Sequence, residues 1–382
     1  MWTIRVGFVP LHMIAVRMKN RRTTHIGIEM PGREMLEFLS DYELGTPGKL
    51  RYRHTGIGAK IKAMEPIPFL VLRRDGQIRG GIGFAFRMVH QAGVSVPAFN
   101  IRYFSIAPPF QSTGKHPPAR KSREPDRAGM LKRYAGRIFN NPWLLLGKEG
   151  KDPTFCYAFI EDENRRSSGF GETMGFVHVR YFQTLLYSRF FPRNDPGVTG
   201  VKQEEKDEVL EKVHSFYRNH ILFTPRNLFY RDDYFVYRRD GKMVAGLQAN
   251  PEKWIIRDMP GPDGFLFTRV FPHLPVFRKL IGKQSVKFLA MEGIWAEPGH
   301  EDDILKIIES VMNRKKIYMA LTWMDADGPL YRMLKKTGRR GCIGNCFRPV
   351  KAAVVVRPSD GFDEGMEKMR TFPAYISCLD MT

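Results

Sequence analysis

Phe69-Leu70-Val71-Leu72-Arg73-Arg74-Asp75-Gly76 runs into Gln77-Ile78-Arg79-Gly80-Gly81-Ile82-Gly83-Phe84, and the pattern returns as Tyr234-Phe235-Val236-Tyr237-Arg238-Arg239-Asp240-Gly241 followed by Lys242-Met243-Val244-Ala245-Gly246-Leu247. Each copy reads as a β-hairpin. An Asp-Gly pair takes the positive φ angles of a tight turn, and β-branched and aromatic residues fill the arms. The separation of Arg73 from Arg238, 165 residues, is the size of one domain and raises the question of an internal duplication.

The rest of the chain answers it. His25 to Glu29 alternates like a strand, and Arg33 to Tyr42 places Met35, Phe38, Leu39 and Tyr42 at helical spacing. After the first hairpin come a strand over Ala98 to Ile106, a polar proline-bearing run from His116 to Asp126, and a helix carrying Met130, Leu131, Tyr134 and Ile138. A strand over Thr154 to Ile160, a short helix over Asn164 to Thr173 and a strand over Phe176 to Tyr187 close the first half. Arg193-Asn194-Asp195-Pro196-Gly197 reads as a linker. Beyond it a helix is expected over Glu204 to Phe223, with His220 at its edge, followed by the second hairpin and an irregular stretch 251–285. Then come a strand Lys287 to Trp295, a helix Glu301 to Met312, a strand Ile317 to Trp323, a helix Pro329 to Lys336 and a strand Lys351 to Arg357. The order of elements is traversed twice. Asn164 and Gly175 lie 163 residues before Asp327 and Gly338, within two residues of the hairpin spacing, and we read the chain as a duplication.

Composition sets the outer limits. The 382 residues, 43% hydrophobic and 12% aromatic, suffice for two cores. A net charge of +21 favours anionic partners: phosphorylated cofactors, nucleic acid or acidic membrane surfaces. Cys156, Cys342, Cys346 and Cys378 are too few and too scattered for a disulfide framework or a paired zinc site. Gly341, Gly344 and Pro349 argue against a helix that would bring Cys342 and Cys346 together, so no metal is expected. Met1 to Met18 is broken by Arg5, Pro10 and Arg17 and makes a poor signal peptide. No stretch reaches the roughly 18 apolar residues of a membrane helix, and a soluble, cytoplasmic protein is the expectation.

The first half resembles the GCN5-related N-acetyltransferase family. The resemblance rests on Ile101-Arg102-Tyr103-Phe104-Ser105-Ile106-Ala107-Pro108, on Gln111-Ser112-Thr113-Gly114, and above all on Tyr157-Ala158-Phe159-Ile160 leading to Asn164 and closing at Met174-Gly175-Phe176. It covers about residues 25–190 well and 202–357 loosely. The implied fold class is α+β (α/β), with two tandem acyl-CoA N-acyltransferase-like domains, each a mixed, mostly antiparallel sheet flanked by helices. The implied organisation is an N-terminal arm (1–24), a CoA-binding domain (25–195), a degenerate second domain (202–357) and a C-terminal tail (358–382).

In that family the strand matching 101–107 splays from its neighbour and pairs with the pantetheine arm of acetyl-CoA, which implicates Ser105, Ile106 and Ala107. The following turn meets the pyrophosphate, which implicates Gln111, Ser112, Thr113, Gly114 and Lys115; orphan N–H groups at a helix start make an anion site on general grounds. Asn164, at a strand end, is placed to bond the pantetheine amides. Two positions depart from the pattern. His116 stands where a second small residue is expected, so that Arg127-Ala128-Gly129 is the alternative phosphate site. Gly171 occupies the position of the tyrosine that protonates the leaving thiolate in many members.

Acyl transfer needs a base for the ammonium proton and donors for the oxyanion. Tyr103, Glu161, Glu163 and Ser168 are the candidates. In the second half, Glu301, Asp302 and Asp303 crowd the corresponding helix start and would repel a pyrophosphate. The expected reaction is acyl transfer, from acetyl-CoA or another acyl-CoA, to a small-molecule or peptide amine. The alternatives are an aminoacyl-tRNA-dependent transferase of the peptidoglycan-bridge type, for which tRNA would be the partner, and a non-catalytic binding protein.

Overall fold

The computed structural model describes residues 14–16, 24–45, 48–64, 66–107, 127–147, 150, 152–275, 277–282, 284–346 and 350–381. Of the N-terminal arm it therefore shows 14–16 and residue 24 alone. The turn 111–115 and the proline-bearing run 116–126 lie outside the described residues.

The chain opens with β1 (Ile14–Val16), β2 (Thr24–Glu29), α1 (Arg33–Asp41), β3 (Arg51–His54) and α2 (Ile57–Ala63). The hairpin β4 (Phe69–Arg74) and β5 (Gln77–Gln91), then β6 (Val94–Ile106), α3 (Arg127–Asn140), β7 (Phe155–Glu161), α4 (Arg165–Thr173) and β8 (Val177–Ser188) complete the first half. The second half begins with β9 (Val198–Gly200), α5 (Lys206–Phe216), β10 (Ile221–Phe223), the hairpin β11 (Tyr234–Arg239) and β12 (Lys242–Asp258), α6 (Gly261–Phe265) and β13 (Ser285–Ala296). It continues with α7 (Asp303–Lys315), β14 (Met319–Asp325), α8 (Pro329–Lys336), α9 (Gly341–Cys346), β15 (Lys351–Pro358), α10 (Asp363–Thr371) and α11 (Cys378–Met381).

Both quoted stretches are hairpins with the expected turn chemistry: Asp75 and Gly76 have φ of 52° and 80°, and Asp240 and Gly241 have φ of 47° and 77°. Positive φ at both central residues is what a two-residue turn matched to strand twist requires.

All described strands join one mixed sheet, ordered β1-β2-β4-β5-β6-β7-β15-β8-β14-β13-β12-β11-β9, with β10 paired to β5 and β3 to β12. Most pairs are antiparallel; β6 with β7 and β13 with β14 are parallel. The linker at 193–197 does not separate two sheets. β15 inserts between β7 and β8, and β8 pairs with β14, so the last strand of each half is built into the other.

Helices cover the sheet where their apolar spacing dictates. Ile304, Ile307, Ile308 and Val311 of α7 pack on Leu247, Leu289 and Met291, while Ile138 and Phe139 of α3 pack on Ile82, Phe84 and Phe99. A central cluster including Phe155, Phe182, Leu186, Phe288, Leu321, Trp323 and Val354 is shared by both halves.

Three expectations change. The helix expected over 204–223 stops at Phe216, because Ile221 and Phe223 pair with Gln91 and His90 of β5; long-range pairing overrides local periodicity. His220 accordingly sits beyond the helix, buried at 9% exposure. Residues 341–346 are helical despite their glycines, since a Cβ on Gly341 would lie 2.0 Å from the Ser188 carbonyl and one on Gly344 2.3 Å from that of Leu186. The glycines let a helix lie directly on β8. Finally, residues 358–381 are no loose tail: α10 packs on the sheet, and Ala374, Tyr375, Ile376, Cys378 and Leu379 are buried.

Candidate active site

β6 and β7 are hydrogen-bonded over Ala98 to Asn100 and Phe155 to Tyr157 and then diverge. Beyond that point β6 carries a bulge: Gly83 pairs with Arg102 and Gly81 with Ser105, so Tyr103 and Phe104 together face Ile82. Tyr103 adopts φ of +53°, uncommon for a residue with a Cβ. A bulged residue is left outside the ladder and bends its strand. The result is a wedge between strands that no other element among the described residues fills.

A cleft of about 250 Å³ occupies the wedge. Ile101 to Phe104 of β6, Ala158 to Glu161 of β7, and Asn164, Ser167, Phe170 and Gly171 at α4 line it. Phe104 packs on Phe170 at 5.0 Å between centroids, forming an aromatic wall. At the inner end α11 supplies Asp380 and Met381. The Asp380 side chain is 2% exposed and accepts two hydrogen bonds from Arg87, at 2.6 and 2.7 Å, with Arg102 at 3.4 Å and the Asn100 amide at 3.3 Å. Burial alone would raise the Asp380 pKa; the two guanidinium groups outweigh it and hold the pKa below the ordinary carboxylate value. Arg102 also donates to the Tyr103 hydroxyl at 3.0 Å and to the Leu379 carbonyl. The bulge, the inner strand and the C-terminal helix are thereby fixed to one ionic cluster.

The expected site residues divide. Tyr103, Glu161 and Asn164 all line the cleft. Burial, and secondarily Glu163, push the Glu161 carboxyl up, which suits a base. Glu163 itself lies on the surface, paired with Lys49 at 2.9 Å, and Ser167 lines the cleft in place of Ser168. The Asn164 Oδ1 accepts from the Ser167 N–H at 3.1 Å and so caps α4, leaving its NH2 group for the cleft. Ser105 is buried opposite Gly81, the Ile106 N–H donates to the Tyr42 hydroxyl, and the Ala107 N–H donates to the Arg79 carbonyl. The part of β6 that lines the cleft is thus 101–104, before the three residues expected. Gln111, Ser112, Thr113, Gly114 and Lys115 fall outside the described residues. Sequence reasoning missed Tyr52 on β3 and Met381, which line the cleft from distant segments and carry no local signal. Burial first, and the nearby Glu161 second, raise the Tyr52 pKa. No group of residues suited to a metal ion occurs among the described residues.

The same geometry recurs between β13 and β14, paired only at Leu289–Ala290 with Ala320–Leu321, with a bulge at Gly293 of φ +58°. There the wedge is filled. The Tyr217 and Tyr234 hydroxyls donate to the carbonyls of Ile294 and Gly293, each at 2.6 Å. Segment 373–376 lies across the opening, its Ala374 N–H donating to the Asp325 carboxylate at 2.8 Å and its backbone bonded to Ile221 on both sides. About 30 Å³ remains. The acidic helix start expected to repel phosphate is itself neutralised: Asp303 accepts from Arg239 and Lys306 and contacts His300, and although burial raises its pKa these bonds bring it down to about 2.

No protein-family model matches the sequence, and no curated protein does. Solved structures do match. Two of Saccharomyces cerevisiae N-myristoyltransferase with bound myristoyl-CoA, each 8% identical, superpose at TM-scores of 0.56 and 0.55, covering 92% of this chain and 81% and 85% of theirs. A GCN5-related N-acetyltransferase from Sphaerobacter thermophilus, 10% identical, aligns over 76% of this chain and 80% of its own at a TM-score of 0.45. At these identities the likeness concerns architecture: the chain has the mixed-sheet fold of the N-myristoyltransferase structures.

Proposed function

We propose that the protein is an acyl-CoA-dependent N-acyltransferase, with the thioester held between β6 and β7. One observation carries this reading: of two equivalent wedges, each beside a bulge, the chain fills one with its own backbone and, among the described residues, leaves the other open beside the half-buried Glu161 carboxylate. We read the two halves as a duplication with exchanged terminal strands, the second having become a support. The donor is acetyl-CoA or another acyl-CoA, and the acceptor an amine.

In this reading the bulged backbone at Phe104 presents its N–H group to the thioester oxygen, where negative charge develops. Glu161 takes one proton from the acceptor ammonium. The amine nitrogen then attacks the carbonyl carbon, the N–C bond forms and the C–S bond breaks. Tyr103 protonates the departing thiolate in place of the tyrosine replaced by Gly171, and the second amine proton restores Tyr103 through solvent. Asn164 donates to the pantetheine amides.

Release of the CoA thiol from acetyl-CoA in the presence of amines tests this. Glu161→Gln should lower kcat/KM by about 10²- to 10⁴-fold, while Glu163→Gln should change it little. Wild-type kcat/KM should fall as pH drops through the raised pKa of Glu161, since the base acts ionised. Equal losses in the two variants would remove Glu161 from the mechanism.

A further inference from the structure

A second cavity, of about 150 Å³, adjoins the donor cleft, and the two share Tyr52, Glu161 and Met381 in their walls. Its lining is almost wholly apolar: Phe182 and Leu186 from β8, Leu321 and Trp323 from β14, Trp254 and Ile256 from β12. The walls are braced by ring packing, with Trp254 stacked on Tyr52 at 4.3 Å and set edge-on to Phe288 at 4.7 Å. An apolar cavity of this size stays dry and admits a group of about six carbons. Both halves of the chain and both exchanged strands build it, so it exists only in the assembled fold.

Position identifies the occupant, given the transferase reading on which this inference rests. A carboxylate that takes a proton from the acceptor ammonium must lie beside the acceptor nitrogen. Glu161 stands where the two cavities meet, so a group that passes it into the apolar chamber is attached to the acceptor nitrogen and not to the thioester carbonyl carbon. We infer that the chamber takes the hydrocarbon part of the acceptor, which is an amine bearing an aliphatic or aromatic group of about six carbons.

The test uses the full chain in two series. With acetyl-CoA fixed, methylamine, butylamine, hexylamine and benzylamine should rise in kcat/KM by about fourfold per added methylene up to the capacity of the chamber. With methylamine fixed, acetyl-, butyryl-, hexanoyl- and decanoyl-CoA should show no such rise. Ile256→Trp, which fills the chamber from a partly exposed position, should flatten the acceptor series. Ile256→Ala, which enlarges it, should move the optimum to longer amines. A rise with acyl length that Ile256→Trp abolishes would overturn the inference and assign the chamber to the donor; flat profiles in both series would also overturn it. Trp254 and Trp323 give a readout without turnover. If no donor is used, a saturable fluorescence change with hexylamine, absent with methylamine and lost in Ile256→Trp, would sink the transferase reading and keep the amine site, whereas no change would remove the site.

Discussion

Asp380→Asn should cost the fold more than any other single exchange of a carboxylate for its amide. The Asp380 side chain is 2% exposed and those of Arg87 and Arg102 are 1% and 2%, so the substitution leaves two guanidinium groups in the interior facing a neutral amide. Removing one partner of a buried ion pair costs about 3–5 kcal/mol, because the desolvated charge left behind has no compensation. For a chain of this length, at about 2 °C per kcal/mol, the melting temperature should fall by roughly 6–10 °C. The loss should reach the site, since α11 also carries Met381 into both cavities. Urea and thermal denaturation of the two proteins at pH 7 are the assay. The triple replacement Arg87→Met, Arg102→Met and Asp380→Leu provides the control: exchanging a whole buried ion cluster for hydrophobic groups of similar volume is often near neutral, and here most of the stability should return. Asp380→Asn melting within 1 °C of wild type would refute the claim that this cluster ties the C-terminal helix to β5 and β6.

Burial holds the His220 pKa down to about 4, against the opposing charge of Asp325, while the unfolded chain titrates near 6.5. The unfolded state therefore binds a proton that the folded state resists, and stability present above pH 6.5 declines toward pH 4 by on the order of 3 kcal/mol. His220→Leu should lose that part of the acid dependence, and an unchanged pH slope would contradict it. Asn164→Ala should cost about 1 kcal/mol through the lost cap on α4. Asn164→Asp keeps an acceptor for the Ser167 N–H but removes the NH2 donor, so it should weaken acyl-CoA binding several-fold in calorimetry; wild-type affinity in the Asp variant would restrict Asn164 to capping. Gly344→Ala should destabilise by about 1–3 kcal/mol, because its Cβ would meet the Leu186 carbonyl at 2.3 Å, and a neutral result in denaturation would mean that α9 can lift from β8.

What the sequence makes legible is what local chemistry decides. Asp75-Gly76 and Asp240-Gly241 announce their turns because few other pairs take positive φ twice, and the run from Tyr157 through Asn164 to Gly175 keeps its strand, cap and helix in one short segment. Elements fixed by distant partners are not legible. β10 looks like the end of a helix until Ile221 meets Gln91, and nothing local to Lys351–Pro358 says that β15 will lie between β7 and β8. The bulge at Gly293 has a glycine to mark it, whereas its counterpart at Tyr103 holds positive φ without one, under the constraint of Arg102 on its hydroxyl. Buried ion pairs leave no local sign. The side chains of Lys60 and Glu252, paired at 2.8 Å, and of Arg87 and Asp380 are buried and join the halves through partners far apart in sequence. Of the cleft lining, Tyr103, Glu161 and Asn164 follow from the family resemblance carried by short segments of the first half, while Tyr52 and Met381 arrive through β3 and the C-terminal segment, whose positions depend on the completed sheet.

The central claim is that one wedge binds the acyl donor and the other is closed by the chain itself. Calorimetric titration of the full chain with acetyl-CoA, beside an Ala158→Trp variant that fills the open wedge, tests it most directly. The account predicts one molar equivalent bound by the wild type and none by the variant. No binding by the wild type, two equivalents, or undiminished binding by Ala158→Trp would contradict it.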